Sequence, residues 1–548
     1  MGTTACTSSY YGPLQEAVRS AEDASGKLMV SGRYHRHPRR LEDDYITFNH
    51  VVLGSGYSGS VLLAASKHDQ SKQYAIKTFK LLGLSKEKRD ELVNEAEIFL
   101  RMDYPHIVRL VDAYESSDRL SLVMELMEGG ELYDRVRERK RFSEGDAAVA
   151  VYQMLLAVNY LHQQGIAHRD LKLENFMYES KKTNHLKLID FGFSSFWEVE
   201  TKMRTSCGTL SYVAPEVLMK SYTPQCDLWS LGVISWILLV GYMPFSGPDR
   251  VQIQAIKQGN YKVKKDVWAK VSADAQDFVF SLLKVDPNKR LTAEKALAHK
   301  WIRTRNSSQV SHREQQLADE SLADALVSFS RQSQFKRACL SMMAWSLSAT
   351  ERAQVRDAFV AMDADHTGTV KLSALKEILV ENFELPDEKI NDIVQALDYN
   401  NDEELNYSEF LAAMVSTRIE MHDDLLMNAF RRFDTDGTGY ITVEDLRKVL
   451  GESFDGATVE ELLREADACG KGKISAEEFI RYLKDPSDTA TAKRKYAAQK
   501  LIDDQLSRSS HSSSVKNQSP FKIRTRTKVL FNSLREKVMT TVASKKCK

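Results

Sequence analysis

The sequence has no long apolar run, no net charge and no paired cysteines, and each absence removes a class of function. Its 76 Lys+Arg against 76 Asp+Glu give a formal net charge of +0. No bulk charge therefore points to a polyanion; no nucleic-acid partner is expected, and any charge bias must be local. The longest uncharged apolar stretch, Leu231 to Phe245, is too short and too interrupted to span a bilayer and reads as a buried helix. The cysteines, Cys6, Cys207, Cys226, Cys339, Cys469 and Cys547, show no paired spacing, and no signal peptide is recognisable. That predicts a reducing, cytoplasmic setting rather than a disulfide framework. What remains is a chain of 548 residues, 43% hydrophobic and 28% charged, a globular composition with length for roughly three or four domains.

The stretch richest in chemistry is His168-Arg169-Asp170-Leu171-Lys172-Leu173-Glu174-Asn175, followed by Asp190-Phe191-Gly192. Phosphoryl transfer needs a carboxylate to orient a hydroxyl, an ammonium against developing charge, and two oxygen ligands for magnesium. Upstream, Leu53-Gly54-Ser55-Gly56-Tyr57-Ser58-Gly59-Ser60-Val61 reads as a glycine-rich hairpin, whose backbone can approach phosphates closely. Glycine triplets also serve dinucleotide folds, but Val61 and the strand Tyr74-Ala75-Ile76-Lys77 decide against that here.

In this order the motifs resemble the catalytic core of eukaryotic protein kinases. The resemblance implies an α+β fold of two lobes, a β-rich small lobe and a helical large lobe, over about residues 45–301. It implies Lys77 on the α/β-phosphates, paired with Glu95, which fits the spacing better than Glu97. ATP would lie against Leu53, Gly54, Ser55, Gly56, Gly59 and Val61, with Glu125 and Met127 in the hinge after the gatekeeper Met124. Glu131 would touch the ribose and, with Glu174, an arginine of a protein substrate. Asp170 is the expected base and Lys172 the charge stabiliser, with Asn175 and Asp190 the magnesium ligands. The activation segment runs from Asp190 to Ala214-Pro215-Glu216. It offers Thr201, Thr205 and Ser206 for phosphorylation, Arg169 to receive a phosphate, and Glu198 and Glu200 as fixed-charge substitutes. Asp227 and Arg290 match structural positions of the large lobe, which closes near Trp301.

After a polar linker, Leu322, Leu326, Phe329, Phe335, Cys339 and Met342 recur at helical spacing among Arg331, Lys336 and Arg337. The pattern over 302–347 is that of a basic amphipathic helix, the shape a calmodulin-like lobe grips. A repeat follows over 348–484, with loop starts at Asp363, Asp398, Asp434 and Asp467 spaced by 35, 36 and 33 residues. Each resembles a twelve-residue EF-hand loop, which takes oxygens at positions one, three, five and seven and a bidentate glutamate at twelve.

The four loops differ. The first ends on Ala374 with Lys371 at position nine, so calcium is not expected there. In the second, Asp398, Asn400, Asp402, Glu404 (by its carbonyl), Asn406 and Glu409 form a full set, although Glu403 replaces the turn glycine. The third has Asp434, Asp436, Thr438 and Tyr440 but closes on the shorter Asp445, a weaker end. The fourth puts Cys469 and Lys471 where oxygens belong, and Glu478 does not compensate. About two calcium sites are expected, one per pair.

The ends have their own signals. Met1-Gly2-Thr3-Thr4-Ala5-Cys6-Thr7 resembles an N-myristoylation signal on Gly2, with Cys6 where Ser or Thr is usual and itself a palmitoylation candidate. Arg33, Arg39 and Arg40 make the rest of the segment 1–44 mildly basic. The tail 485–548 is serine-rich from Ser507 to Ser519, then carries nine Lys or Arg against one acid, Glu536, from Phe521 on. Such a tail is expected to be solvated or to meet an anionic membrane surface.

Kinase core, basic junction and four EF-hand repeats together resemble the calcium-dependent protein kinases of plants and protists. The resemblance implies magnesium-ATP-dependent phosphorylation of protein Ser or Thr, with the junction released when calcium loads the EF-hands. A calcium-insensitive kinase with vestigial EF-hands is the alternative. A catalytically dead calcium-sensing scaffold is disfavoured by the intact Lys77, Asp170, Asn175 and Asp190.

Overall fold

A computed structural model describes residues 8–484, except 57, 58, 206, 306–319, 384, 400, 401 and 416. Gly2, Cys6, Ser206, Asn400 and the basic tail lie outside the described residues.

The small lobe is a six-stranded sheet. From one edge its strands are Tyr34–His35, Leu110–Glu115, Arg119–Glu125, Gln73–Lys80, Gly59–Ser66 and Tyr45–Gly56. The glycine motif forms the hairpin between the last two, pairing Ser55 with Ser60 and Gly56 with Gly59. Gly59 takes φ +128°, open only to glycine without strain. Helix Lys86–Arg101 begins where the Ser85 hydroxyl accepts the Lys88 N–H, and it buries Leu92, Glu95, Ala96 and Phe99 towards the sheet. In the large lobe the uncharged run is helical from Leu231 to Val240, within helix Gln225–Val240, which is buried along nearly its whole length and stopped by left-handed Gly241. No described helix is long and apolar enough to cross a membrane.

The EF-hand repeats pair as two units. Val370–Lys371 bonds Glu404–Leu405, joining loops one and two, and Tyr440–Ile441 bonds Ile474–Ser475, joining loops three and four. The junction differs from the single helix its spacing suggests. It forms two helices, Glu320–Ser330 and Gln334–Ala344, with Ser333 at the second N-terminus. Its apolar face is nevertheless as expected: Leu322, Leu326, Phe329, Phe335, Cys339 and Met342 are all buried and pack on EF-hand helices including Asp387–Leu397, Tyr407–Met414 and Asp423–Phe433. Arg337 pairs with Asp455.

The N-terminal segment is the main departure. Helix Ser8–Ser25 packs on Lys86–Arg101, and Tyr34–His35 adds a parallel edge strand. Arg33, read from sequence as part of a basic patch, is 1% exposed. It donates to the carbonyls of Met29, Leu110 and Leu100 and stacks 3.6 Å from the ring centroid of Trp345, at the junction's end. Arg109 covers the same indole at 4.0 Å. Burial draws these two guanidiniums down to about 9 and about 10. Arg39 pairs with Asp44 at 2.8 Å and is mostly buried. Two of the three arginines are thus unavailable to a membrane.

The EF-hand region also docks on the large lobe through its first loop. Asn159 Nδ2 donates to the His366 carbonyl at 2.6 Å, and the Tyr152 ring meets His366 edge-on at 5.9 Å. Gly368, at φ +94°, lies so close to Tyr160 that a Cβ would fall 2.1 Å from Cδ2. Gly368→Ala adds this clash to roughly 1–2 kcal/mol of left-handed strain. It should loosen the first loop from helix Glu144–Gln163 without changing the number of bound calcium ions. Faster hydrogen exchange in that helix, with unaltered calcium stoichiometry by calorimetry, is the expected result.

Candidate active site and calcium loops

Lys77 Nζ lies 2.5 Å from Glu95 Oε1 and 3.2 Å from Asp190 Oδ1. Glu97 instead bonds Arg101 one helical turn on. Burial works against the Lys77 charge, but Glu95 and Asp190 outweigh it and raise its pKa. Burial likewise opposes the Asp190 carboxylate, and Lys77 overcomes it, so Asp190 is held below its ordinary value. Asp190 also accepts the Gly192 N–H at 3.2 Å.

Asp170 is buried and held at both oxygens. Oδ1 accepts the Thr209 N–H and hydroxyl, each at 2.8 Å, and Oδ2 accepts Lys172 Nζ at 2.8 Å. Asn175 Nδ2 donates to the Asp170 carbonyl at 2.9 Å, which leaves the amide oxygen as its ligand side. The backbone is strained just before Asp170, since Arg169 has φ 71°. Buried Asp227 offsets that strain by accepting the N–H groups of His168 and Arg169 at 2.9 and 2.8 Å. Gly208 passes so close to the Arg169 carbonyl that a Cβ would sit 2.7 Å from it. The Arg169 guanidinium is occupied: Nε donates to the Phe193 carbonyl at 2.6 Å and Nη2 to Ser194 at 3.3 Å. The start of the activation segment is therefore anchored by backbone acceptors. Arg290 forks onto Glu216 at 2.6 and 3.1 Å, tying that segment's end into the lobe.

Gly54 pairs with Val61 and Val61 with Lys77 across the sheet; Leu53 is largely exposed, and Met124 and Met127 are buried. The Glu125 carboxylate is committed to Lys187, Arg352 and the Arg109 N–H, and its own N–H donates to the Arg109 carbonyl at 3.1 Å. At the substrate end, burial raises the Glu131 carboxyl, and the charges of Asp134 and Glu174 raise it further. A buried Glu174 oxygen has no hydrogen-bond partner among the described residues. Thr209 and Arg352 escape sequence reading. A hydroxyl just after Gly208 is the only hint of the first, and the basic pair Arg352 and Arg356 on one helix face hints at the second.

Among the calcium loops, Asp434, Asp436 and Asp445 converge, each offering an oxygen within 4.8 Å of the others; they are the one such group among the described residues. Asp445, the shorter closing acid, accepts from Thr442 and from Thr435 and is thereby turned into the loop. The Thr438 N–H bonds Asp434 and Asp436 at 3.0 and 3.1 Å, and the exposed ring of Tyr440 carries Lys473 at 3.5 Å. The second loop, the fuller set by sequence, is less converged. Glu403 adopts the expected left-handed turn at φ 60°, at a cost of about 1 kcal/mol, with its N–H on Asp398 at 3.3 Å. Asp402 accepts the Glu404 N–H at 3.0 Å. Burial raises Glu409 to about 8, and its Oε1, beside the Tyr399 hydroxyl, has no well-formed hydrogen bond. A buried carboxylate oxygen short of a donor fits a cation. In the first loop, Lys371 Nζ takes Asp365 at 3.2 Å, so a side-chain cation already serves a ligand. In the fourth, Glu478 is held by Ser475 at 2.8 Å.

Residues 48–302 match the protein kinase domain family, and residues 352–415 and 423–484 match the EF-hand domain pair. The chain is 35% identical over 464 residues to "Calcium-dependent protein kinase 7" of Arabidopsis thaliana, covering 82% of this chain and 84% of that protein. It is 34% identical over 497 residues to "Calcium-dependent protein kinase 9" of Oryza sativa subsp. japonica, covering 88% and 84%. To "Calcium-dependent protein kinase 16" of the same rice it is 39% identical over 403 residues, covering 71% and 72%.

Calorimetry should count two calcium ions. Glu409→Gln and Asp445→Asn are each expected to remove one, while Ala374→Ser and Lys471→Ala remove none. Sensor loops of this type bind at about 10⁻⁷ to 10⁻⁵ M. Four ions of similar affinity would contradict the reading of all four loops.

Proposed function

The chain belongs to the calcium-dependent protein kinases, and from that premise we propose how its own residues perform and restrict the reaction. It is a calcium-regulated serine/threonine protein kinase that uses magnesium-ATP, and its EF-hand region binds calcium. The observation that carries the residue assignment is Lys77 standing within reach of both Glu95 and Asp190. Lys77, oriented by Glu95, holds the α/β-phosphates. Asn175 and Asp190 hold magnesium, which when bound neutralises charge on the transferring phosphoryl group. Asp170, fixed by Thr209, aligns the substrate hydroxyl and accepts its proton, and Lys172 offsets charge on the transferred group.

Protein substrates carry a basic residue ahead of the phosphoacceptor. Burial and the charges of Asp134 and Glu174 raise the Glu131 carboxyl, and a buried Glu174 oxygen has no hydrogen-bond partner among the described residues, so a guanidinium would serve both side chains. Regulation follows from the junction. Helices Glu320–Ser330 and Gln334–Ala344 are held between EF-hand helices, with their end against Arg109 of the small lobe, the arrangement of a junction gripped by the EF-hand region, with one ion in each EF-hand pair. Domain limits fall near 1–44, 45–301, 302–347 and 348–484, and the described part of the first segment straps the small lobe through Ser8–Ser25 and Tyr34–His35.

Purified full-length protein should phosphorylate an arginine-containing peptide in calcium and lose most of that activity in chelator. Glu131→Gln combined with Glu174→Gln should raise KM for that peptide about tenfold with KM for ATP unchanged. Equal activity in calcium and chelator would favour the calcium-insensitive alternative.

Peripheral membrane attachment, if it occurs, rests on an acyl chain at Gly2 together with the basic tail, because one myristoyl chain alone binds reversibly and Arg33 and Arg39 are engaged elsewhere. Gly2→Ala and a chain ending at Ser519 should each shift the protein to the unbound fraction on membrane sedimentation. Wild-type partitioning of both would dismiss the two anchors.

A further inference from the structure

Behind the hinge lies a buried ionic cluster that no catalytic step uses. Glu125 ends strand Arg119–Glu125, and alternation along the strand turns its side chain to the face opposite Met124. Its Oε1 accepts Lys187 Nζ at 2.6 Å and the Arg109 N–H at 2.8 Å, and its Oε2 accepts the guanidinium of Arg352. Arg352 belongs to helix Ala349–Met362, which leads into the first EF-hand loop. Glu179 takes Lys187 at 3.2 Å, Arg356 at 3.1 Å and Arg352 at 3.9 Å. Two of the three cations thus come from the EF-hand side.

The acids are fixed to parts that matter for ATP. The Glu179 carbonyl accepts the hinge N–H of Glu128 at 3.2 Å. Lys187 lies in strand Leu186–Leu188, directly ahead of Asp190. Burial alone would push the Glu125 carboxyl up, but Arg352 and Lys187 outweigh it and hold it at about 2. Without the EF-hand helix, two buried carboxylates would share one ammonium. The excess charge is relieved by proton uptake or by moving Glu125 or Glu179 towards water, and either change alters the bonds that fix the hinge backbone.

We propose that Arg352 is a positioning residue for ATP: docked, it neutralises Glu125 and Glu179 together and holds the hinge in register with the hairpin that leads to Asp190. It touches neither nucleotide nor phosphoacceptor and acts through Glu125. ATP affinity and EF-hand docking then support each other reciprocally, so the EF-hand region sets nucleotide affinity as well as access to the cleft.

The test is steady-state kinetics on the full-length chain in saturating calcium, varying ATP and an arginine-containing peptide independently. Arg352→Gln should raise KM for ATP about tenfold with KM for peptide unchanged, and Arg352→Lys should recover part of the loss. Adding Glu179→Gln to Arg352→Gln removes one charge of each sign and should recover more than half of the ATP effect. The inference is overturned if Arg352→Gln leaves KM for ATP unchanged, or if Arg356→Gln, which meets Glu179 but not Glu125, raises it equally. A fall in kcat with both KM values rising together and no rescue, the pattern of a docking defect, also overturns it. Should Arg352→Gln fail to fold, Arg352→Lys decides alone. It keeps the charge but loses the second prong to the Leu347 carbonyl, and a wild-type KM for ATP would end the proposal.

Discussion

Buried guanidinium groups control how the two halves of this kinase meet. Arg33, Arg109, Arg352 and Arg432 are each at most 5% exposed, and each finds acceptors or an aromatic face across the contact. Arg432 alone reaches the Gly32 and Val111 carbonyls and Asp112. Water solvates a free guanidinium well, so such pairs add modest net stability when closed. A half-made contact, by contrast, strands a charge and is costly. The result is an interface that is specific when fully formed and reversible when it opens, as a calcium switch requires. A contact of leucines of the same size would bind more tightly and release less readily.

Trp345 shows how the pieces are coupled. Its indole lies between Arg33 of the N-terminal segment and Arg109 of the small lobe, and it ends the junction helix that the EF-hands hold. Three segments far apart in sequence thus share one side chain. The first EF-hand loop adds a second kind of coupling. It carries Ala374 and Lys371 at two ligand positions and packs His366 and Gly368 on Tyr152, Asn159 and Tyr160. Degeneracy towards the ion and complementarity to the kinase lobe occur in the same twelve residues.

The catalytic constellation was legible because its parts are local or motif-bound. Asp170, Lys172 and Asn175 lie within six residues of chain, and although helical spacing admits both Glu95 and Glu97, motif position favours Glu95 as the expected partner of Lys77. The apolar face of the junction was legible for the same reason, since 3.6-residue periodicity survives a break between helices. Arg33 was not. Three exposed-looking basic residues in a polar segment carry no mark of a tryptophan three hundred positions away. Glu125 was half legible: strand alternation gives the facing of its side chain, but nothing local names Arg352. The calcium loops show the remaining gap. Ligand counting ranks the second loop above the third, whereas convergence in space depends on the hydroxyls of Thr435 and Thr442, which turn Asp445 inward.

These observations place catalysis and control at different depths of the same structure. The reacting groups are held within the kinase domain, by Glu95, Thr209, Asp227 and the backbone of the activation segment, and none of those bonds involves an EF-hand residue. Control therefore need not build the active site; it has only to bias the hinge, helix Lys86–Arg101 and access to the cleft. Each tenfold difference in affinity between docked and released states shifts their balance by about 1.4 kcal/mol, the scale of one or two of the polar contacts described. Calcium binding that acts through several such contacts can therefore move the population substantially.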